Sequence, residues 1–291
     1  MIQRRTFLYQ AGWLTALSVL APGQLLAAPP ARKTGLQLYT LRDYISKDVK
    51  GVLAKVAQAG YQTVETYGYN PEGGGFWGLS AAQFAAALKA HGLTTFSGHY
   101  DTGRYFREGN LDLLKPYLEA AKACGQAYVV VPYLDEQVRT SPDAFKAIAE
   151  KLNRAGELCR AAGLRLGYHN HDFEFKPVGG TTLYEVLLRE TQPTLVEFEL
   201  DLYWAVRAGQ NPLQLLQKHQ GRFPLWHVKD MDKTQPERNT EVGTGSINFP
   251  ELFKQAGATG LKQAFVEQEN FAMDAYKSIT QSAAYVKKRL L

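Results

Sequence analysis

The chain reads as an α/β protein folded into a (β/α)8 TIM barrel over residues 32–291, and three observations point there. One phrase recurs with a period of a few tens of residues: a short apolar strand, a polar loop, an amphipathic helix and a closing glycine. Gly60, Gly92, Gly125 and Gly163 each end a helix where glycine accepts the left-handed cap conformation. Titratable residues inside apolar runs fall almost entirely at strand ends.

The strands expected in order are 35–39, 63–67, 94–99, 128–132, 165–169, 196–200, 225–229 and 263–267. Helices are expected at 48–59, 80–91, 110–124, 141–162, 182–190, 211–219, 249–256 and 275–290, with Ser80 and Ser141-Pro142 as helix starts. Strict alternation demands parallel strands with right-handed crossovers, and eight such units favour closure. An open doubly wound sheet is the alternative, but no Gly-x-Gly-x-x-Gly follows the first strand. Two long loops, 70–79 and 231–248, follow strands and so rise over the mouth of a barrel, as lids or as tolerated insertions.

The 291 residues are 45% hydrophobic and 12% aromatic, enough for a large core. Residues 1–31 read as an export signal and linker: Gln3, Arg4, Arg5, Thr6, Phe7 and Leu8 resemble the bacterial twin-arginine motif, ahead of a weak apolar run and Ala27-Ala28. Gly12, Pro22 and Gly23 interrupt that run too often for a stable membrane span. The resemblance implies a periplasmic protein handled, already folded, by the twin-arginine export machinery. Losing Arg4 and Arg5 lowers the net charge from +5 to +3, and no Lys/Arg cluster of nucleic-acid type appears. Cys124 and Cys159 are expected to be free and buried, since nothing forces their helix ends together, and neither has a metal-ligand spacing. Oligomeric state is not legible.

The segment from Leu166 to Phe175 is a short apolar strand ending in His169, His171, Asp172 and Glu174, groups that are costly to bury without partners. Other strand ends carry Tyr39, Glu65, His99, Asp201, His227, Lys229, Glu267 and Glu269. Period-two alternation puts Glu197, Glu199 and Asp201 on one strand face, His227 with Lys229 on another, and Glu267 with Glu269 on a third. Those faces point into the barrel, where a cation is the economical partner for carboxylates. Imidazole and carboxylate without thiolate suit one divalent ion of Mn, Zn, Co, Fe or Mg. Such a site polarises a carbonyl while a neighbouring carboxylate removes a proton from the adjacent carbon.

The phrases at 35–43, 60–65, 168–171, 200–205, 227–230, 242–245 and 265–267 together resemble the sugar phosphate isomerase/epimerase branch of the xylose isomerase-like TIM barrel superfamily, over essentially all of 33–291. The resemblance implies one divalent metal held by Asp201, His227 and Glu267, with His169 standing where the family carries a strand-five Glu. In the epimerases that Glu and the strand-eight Glu form the acid/base pair. Here Glu267 matches, while His169 or Glu174 would fill the other role, and Lys229 joins the catalytic candidates. Trp204 replaces a family His and would wall a sugar ring; Tyr39, Glu65, His99 and His171 are the remaining substrate-binding candidates.

The function expected is a metal-dependent isomerase or epimerase acting on a non-phosphorylated sugar or keto-sugar through an enediolate. The alternative is a keto-sugar or 3-keto-glycoside lyase or dehydratase working by β-elimination. An alternative of another class is a non-catalytic periplasmic carbohydrate-binding barrel, with Trp77, Trp204 and Trp226 as stacking platforms.

Overall fold

A computed structural model describes residues 32–291; the twin-arginine-like segment lies outside the described residues. Eight parallel strands close into a barrel: β1 (Gly35–Gln37), β2 (Thr63–Thr66), β3 (Thr94–His99), β4 (Tyr128–Val131), β5 (Arg165–His169), β6 (Val196–Asp201), β7 (Leu225–Val228) and β8 (Gln263–Val266). Closure is direct, because β1 pairs with β2 on one side (Gln37 with Glu65) and with β8 on the other (Leu36 with Val266). That removes the open-sheet alternative. Among the described residues no helix is long and apolar enough to cross a membrane.

The expected helices are present, trimmed at their ends, as in Pro142–Ala161. There Ser141 accepts the Ala144 N–H and Pro142 supplies the first turn. Its inner face buries Phe145, Ile148, Leu152, Ala155 and Cys159 at helical spacing. Gly156 is required on that face, since a Cβ would meet the Leu195 carbonyl oxygen at 2.6 Å. Cys124 and Cys159 are free.

Three differences matter for the site. Strand β1 ends at Gln37, two residues early, because the Gln37 side chain accepts the Tyr39 N–H and turns the chain into a 3-10 helix, Leu38–Leu41. An unexpected helix, Leu202–Arg207, starts on the last residue of β6, capped by Asp201. Both long loops fold back as two-stranded hairpins, Tyr69–Asn70 with Gly75–Phe76 and Asp230–Met231 with Asn239–Thr240.

The second of these is locked by one carboxylate. Asp230 accepts backbone N–H groups from Met231, Gly243, Gly245 and Ile247 at 2.9 to 3.1 Å. Gly245 packs so closely that an added Cβ would lie 2.3 Å from Asp230 Oδ1. Asp230→Ala leaves those buried donors unpaired and is expected to cost about 3 kcal/mol in a urea melt. A loss below about 1 kcal/mol would remove Asp230 as the anchor of this loop.

Inside the barrel the side chains form layers. At the N-terminal end, Glu197 accepts from the Tyr128 hydroxyl at 2.7 Å and from Arg165. Val130, Leu225 and Phe265 fill the middle. The polar residues at the C-terminal ends sit above this plug.

Candidate active site

Strand register explains which of these polar groups touch. Glu65 faces Gln37 on β1 and Ser97 on β3, and accepts from both at 2.8 and 2.5 Å. Glu199 is the register partner of His169, and Asp201 that of His227. Adjacent inward side chains on neighbouring strands stand about 5 Å apart, so pairing alone brings them into contact. His99 and His227 reach across the barrel: His99 Nε2 lies 2.6 Å from Glu199 Oε2, and His227 Nε2 lies 2.6 Å from Glu65 Oε2.

The result is two tiers. The lower holds the carboxylates of Glu65 and Glu199, both fully buried. In the upper tier, His227 Nδ1 lies 3.2 Å from Glu267 Oε2 and 3.8 Å from Asp201 Oδ2, while His169 Nε2 is 4.0 Å from Asp201 Oδ2. Asp201 spends one oxygen on its own chain, with Oδ1 accepting the Trp204 N–H at 2.9 Å to start the helix. Its other oxygen, Oδ2, is buried and has no hydrogen-bond partner. Asn170 ties the ends of β5 and β6 together, donating to the Asp201 carbonyl and accepting its N–H.

Electrostatics show what this set lacks. Glu65, Glu199, Asp201 and Glu267 are all buried; among the described residues the buried ammonium beside them is Lys229, which donates to Glu267 at 3.1 Å and to Glu269. The carboxylates, against burial, raise His99 and His227 above the ordinary imidazole value. Burial pushes the Asp201 carboxyl up to about 7, with Lys229 and His227 only partly opposing it. Against burial, Lys229 and His227 hold Glu267 well below the usual carboxylate range. Burial and the neighbouring His227 keep His169 neutral.

A divalent cation fits this set. Asp201, His227 and Glu267 present ligand atoms within 4.8 Å of one another, the orphaned Asp201 oxygen faces His227 and His169, and the donors are nitrogen and oxygen without thiolate. His169, Asp201, His227 and Glu267 are the residues that would hold it. A second convergence, His99, His169, Glu199 and His227, lies in the lower tier.

Above the upper tier opens a cleft of about 500 Å³ lined by Tyr39, Tyr67, His99, Asp101, Tyr133, His169, His171, Trp204, Glu267 and Glu269. Among the described residues no Arg or Lys lines it. Trp204 Nε1 and His171 Nδ1 are buried without partners, so the wall holds unused hydrogen-bonding groups beside an aromatic face.

Several expected roles are corrected by position. Glu65 is not a substrate contact: it is fully buried beneath His99 and His227, below the cleft. Glu174 is outside the site, because the chain turns into a 3-10 helix after β5 and aims it at the Tyr168 hydroxyl (2.7 Å) and the His171 N–H (2.8 Å). Lys229 stands behind Glu267 and Glu269, off the cleft wall. Trp226 faces outward and is buried, donating to the Phe223 carbonyl, and Trp77 packs on Tyr67 and Phe84; only Trp204 of the three is a cleft wall. Tyr67, Asp101 and Tyr133 join the lining without a sequence signal, while alternation had placed Glu199 on the inner face without a role.

Burial pushes the Glu174 carboxyl up to about 8. The folded state therefore keeps a proton that the unfolded chain has already released, so this group's contribution to stability falls as pH rises from the ordinary carboxylate value to about pH 8. Glu174→Gln is expected to flatten that slope in urea melts at about pH 5 and about pH 8. An unchanged slope would contradict the assignment.

The match to known proteins covers most of the chain. The family model for the xylose isomerase-like TIM barrel matches residues 53–289. A solved sugar phosphate isomerase/epimerase from Parabacteroides distasonis superposes with a TM-score of 0.78 at 30% identity, covering 90% of this chain and 95% of that one. The inosose dehydratase of Geobacillus thermodenitrificans is 25% identical over 184 residues, 56% of this chain and 60% of its own length. That of Bacillus anthracis is 30% identical over 184 residues, 54% of this chain and 61% of its own. The chain thus spans about 60% of the length of these dehydratases. With the closed barrel and the family model in agreement, the chain belongs to the xylose isomerase-like TIM barrel family.

Proposed function

We propose that the protein is an enzyme that removes a proton from the carbon beside a carbonyl in an uncharged keto-sugar or related keto-polyol and then expels a group from the next carbon. The observation that carries this is the cleft itself: Glu267 and His169 reach its floor, Trp204 and tyrosines form its walls, and among the described residues no Arg or Lys lines it to receive a phosphate. The family's relatives named as a dehydratase and an isomerase/epimerase support the same carbon-acid chemistry. A bound divalent ion would supply Lewis-acid polarisation of the substrate's carbonyl oxygen.

The number of bases decides the outcome. Glu199 takes the Nδ1–H of His169, and the other nitrogen points toward Asp201, where a metal ligand is needed. An imidazole so engaged has no lone pair left for a proton, whereas a ligating carboxylate keeps a second oxygen. Glu267, held ionised, is then the single base among the candidate metal ligands. Epimerisation requires proton transfer on opposite faces of one carbon, so a single base supports elimination. The C–H proton passes to Glu267, a C=C bond forms, and the β C–O bond breaks with its electron pair leaving on oxygen, which takes up a proton to depart as water or an alcohol.

One observation favours a keto-glycoside among possible substrates: Asp101 lines both the cleft and an adjoining hollow of about 240 Å³ beside Glu72, Arg104 and Tyr117. A substrate with a second residue has space there. A single-base aldose–ketose shift is the second reading, supported by the isomerase/epimerase name of the Parabacteroides structure. Export to the periplasm is proposed from the motif at Gln3 to Leu8.

Glu267→Gln is expected to reduce solvent-deuterium incorporation into a keto-sugar or keto-glycoside by about 100-fold or more, with an unsaturated ketone as the wild-type product. Undiminished exchange would remove Glu267 as the base, and an inverted, deuterated product from the wild type would replace elimination with epimerisation. Prior removal of divalent ions with a chelator is expected to abolish exchange and their return to restore it.

A further inference from the structure

We propose that Glu65 and Glu199 are positioning residues that fix the two histidines in opposite tautomers, so that a divalent ion is bound by Nε2 of His169 and by Nδ1 of His227. The proposal rests on the metal reading of the upper tier and deepens it with the carboxylates beneath.

Each ring has one nitrogen in each tier. Of His169, Nδ1 lies 3.1 Å from Glu199 Oε2 and Nε2 faces Asp201. Of His227 the sense is reversed: Nε2 lies 2.6 Å from Glu65 Oε2 and 3.2 Å from Glu199 Oε2, and Nδ1 faces Asp201 and Glu267. A carboxylate only accepts, so the nitrogen in its tighter contact keeps the hydrogen when an ion takes the other: Nδ1 of His169, and in His227 Nε2 at 2.6 Å from Glu65 rather than Nδ1 at 3.2 Å from Glu267. Both lone pairs are then directed into the upper tier. A histidine held this way is also a more basic ligand, since the carboxylate stabilises the charge it gives up.

The floor is itself held in place. Glu65 is fastened by Gln37 and Ser97 on the two neighbouring strands, and Glu199 by His99 at 2.6 Å. Every one of these partners is on a barrel strand, or at its end, so the sheet positions the groups that hold the carboxylates. The distances of 2.6 to 3.2 Å between the floor oxygens and the ring nitrogens are those of hydrogen bonds, which argues against the floor as a second seat for an ion. The arrangement also answers the strand-five departure: a neutral His169 in place of an acid loses a negative charge from the upper tier, and Glu199 restores one directly beneath it.

The test uses the whole protein with Mn²⁺ and Zn²⁺ as probes. Glu199→Gln and Glu65→Gln keep shape but weaken the acceptor. Each is expected to lower Mn²⁺ affinity, read from free Mn²⁺ by electron paramagnetic resonance, by about 10- to 100-fold, while the metal-free melting temperature stays near that of the wild type. In the Zn²⁺-loaded wild type, nitrogen-15 NMR of the histidine rings is expected to show the metal shift on Nε2 of His169 and on Nδ1 of His227. Affinities within twofold of the wild type in both variants, or metal shifts on the opposite nitrogens, would overturn the positioning role. A wild type that binds neither ion would overturn both this proposal and the metal reading on which it rests, whereas failure confined to the variants would leave the metal reading standing.

Discussion

The site buries the carboxylates of Glu65, Glu199, Asp201 and Glu267 together, with the ammonium of Lys229 beside them among the described residues, and most of the local architecture follows from that crowding of negative charge. An uncompensated buried carboxylate is costly enough that the structure must hydrogen-bond it, protonate it or supply a cation. Glu65 is satisfied by His227 and by the side chains of Gln37 and Ser97, and Glu199 meets His99 and His169 through Oε2. Glu267 has Lys229. Among the described residues Asp201 Oδ2 and Glu199 Oε1 keep no partner, and the former lies in the upper tier beside His227 and His169.

The barrel meets this demand through register, with His99 and His227 reaching across it to join the pairs that register sets. Parallel pairing sets Asp201 against His227 and Glu199 against His169, so two tiers of the site arise from adjacent positions on β5, β6 and β7. The apolar plug below, with Val130, Leu225 and Phe265, keeps water from the lower carboxylates and strengthens every contact above it. Asp201 shows the economy of the design: one oxygen starts a helix and so fixes its rotamer, and the other is left directed at the neighbouring histidine.

Much of this was legible from alternation. Inward parity placed Asp201, His227 and Glu267 together, and the same parity would have excluded Trp226, which stands one residue before His227 and must face outward. What parity cannot supply is depth. Glu65 faces inward as expected, yet it lies under two rings because His99 and His227 extend over it from other strands. Glu174 escaped the rule altogether: it follows the strand on a 3-10 turn, where the two-residue period no longer applies. The contributions of Asp101 and Tyr133 depend on how loops fold over the mouth, which propensity and spacing do not determine.

The proposed seat of a single divalent ion is the upper tier. Crystals of the protein grown with Mn²⁺ and measured at the manganese absorption edge test it most directly. The expected result is one anomalous peak per chain, bounded by Asp201 Oδ2, His227 Nδ1 and Glu267 Oε2 and within reach of His169 Nε2. A peak among His99, His169 Nδ1 and Glu199 instead, or no peak at a saturating manganese concentration, would contradict it.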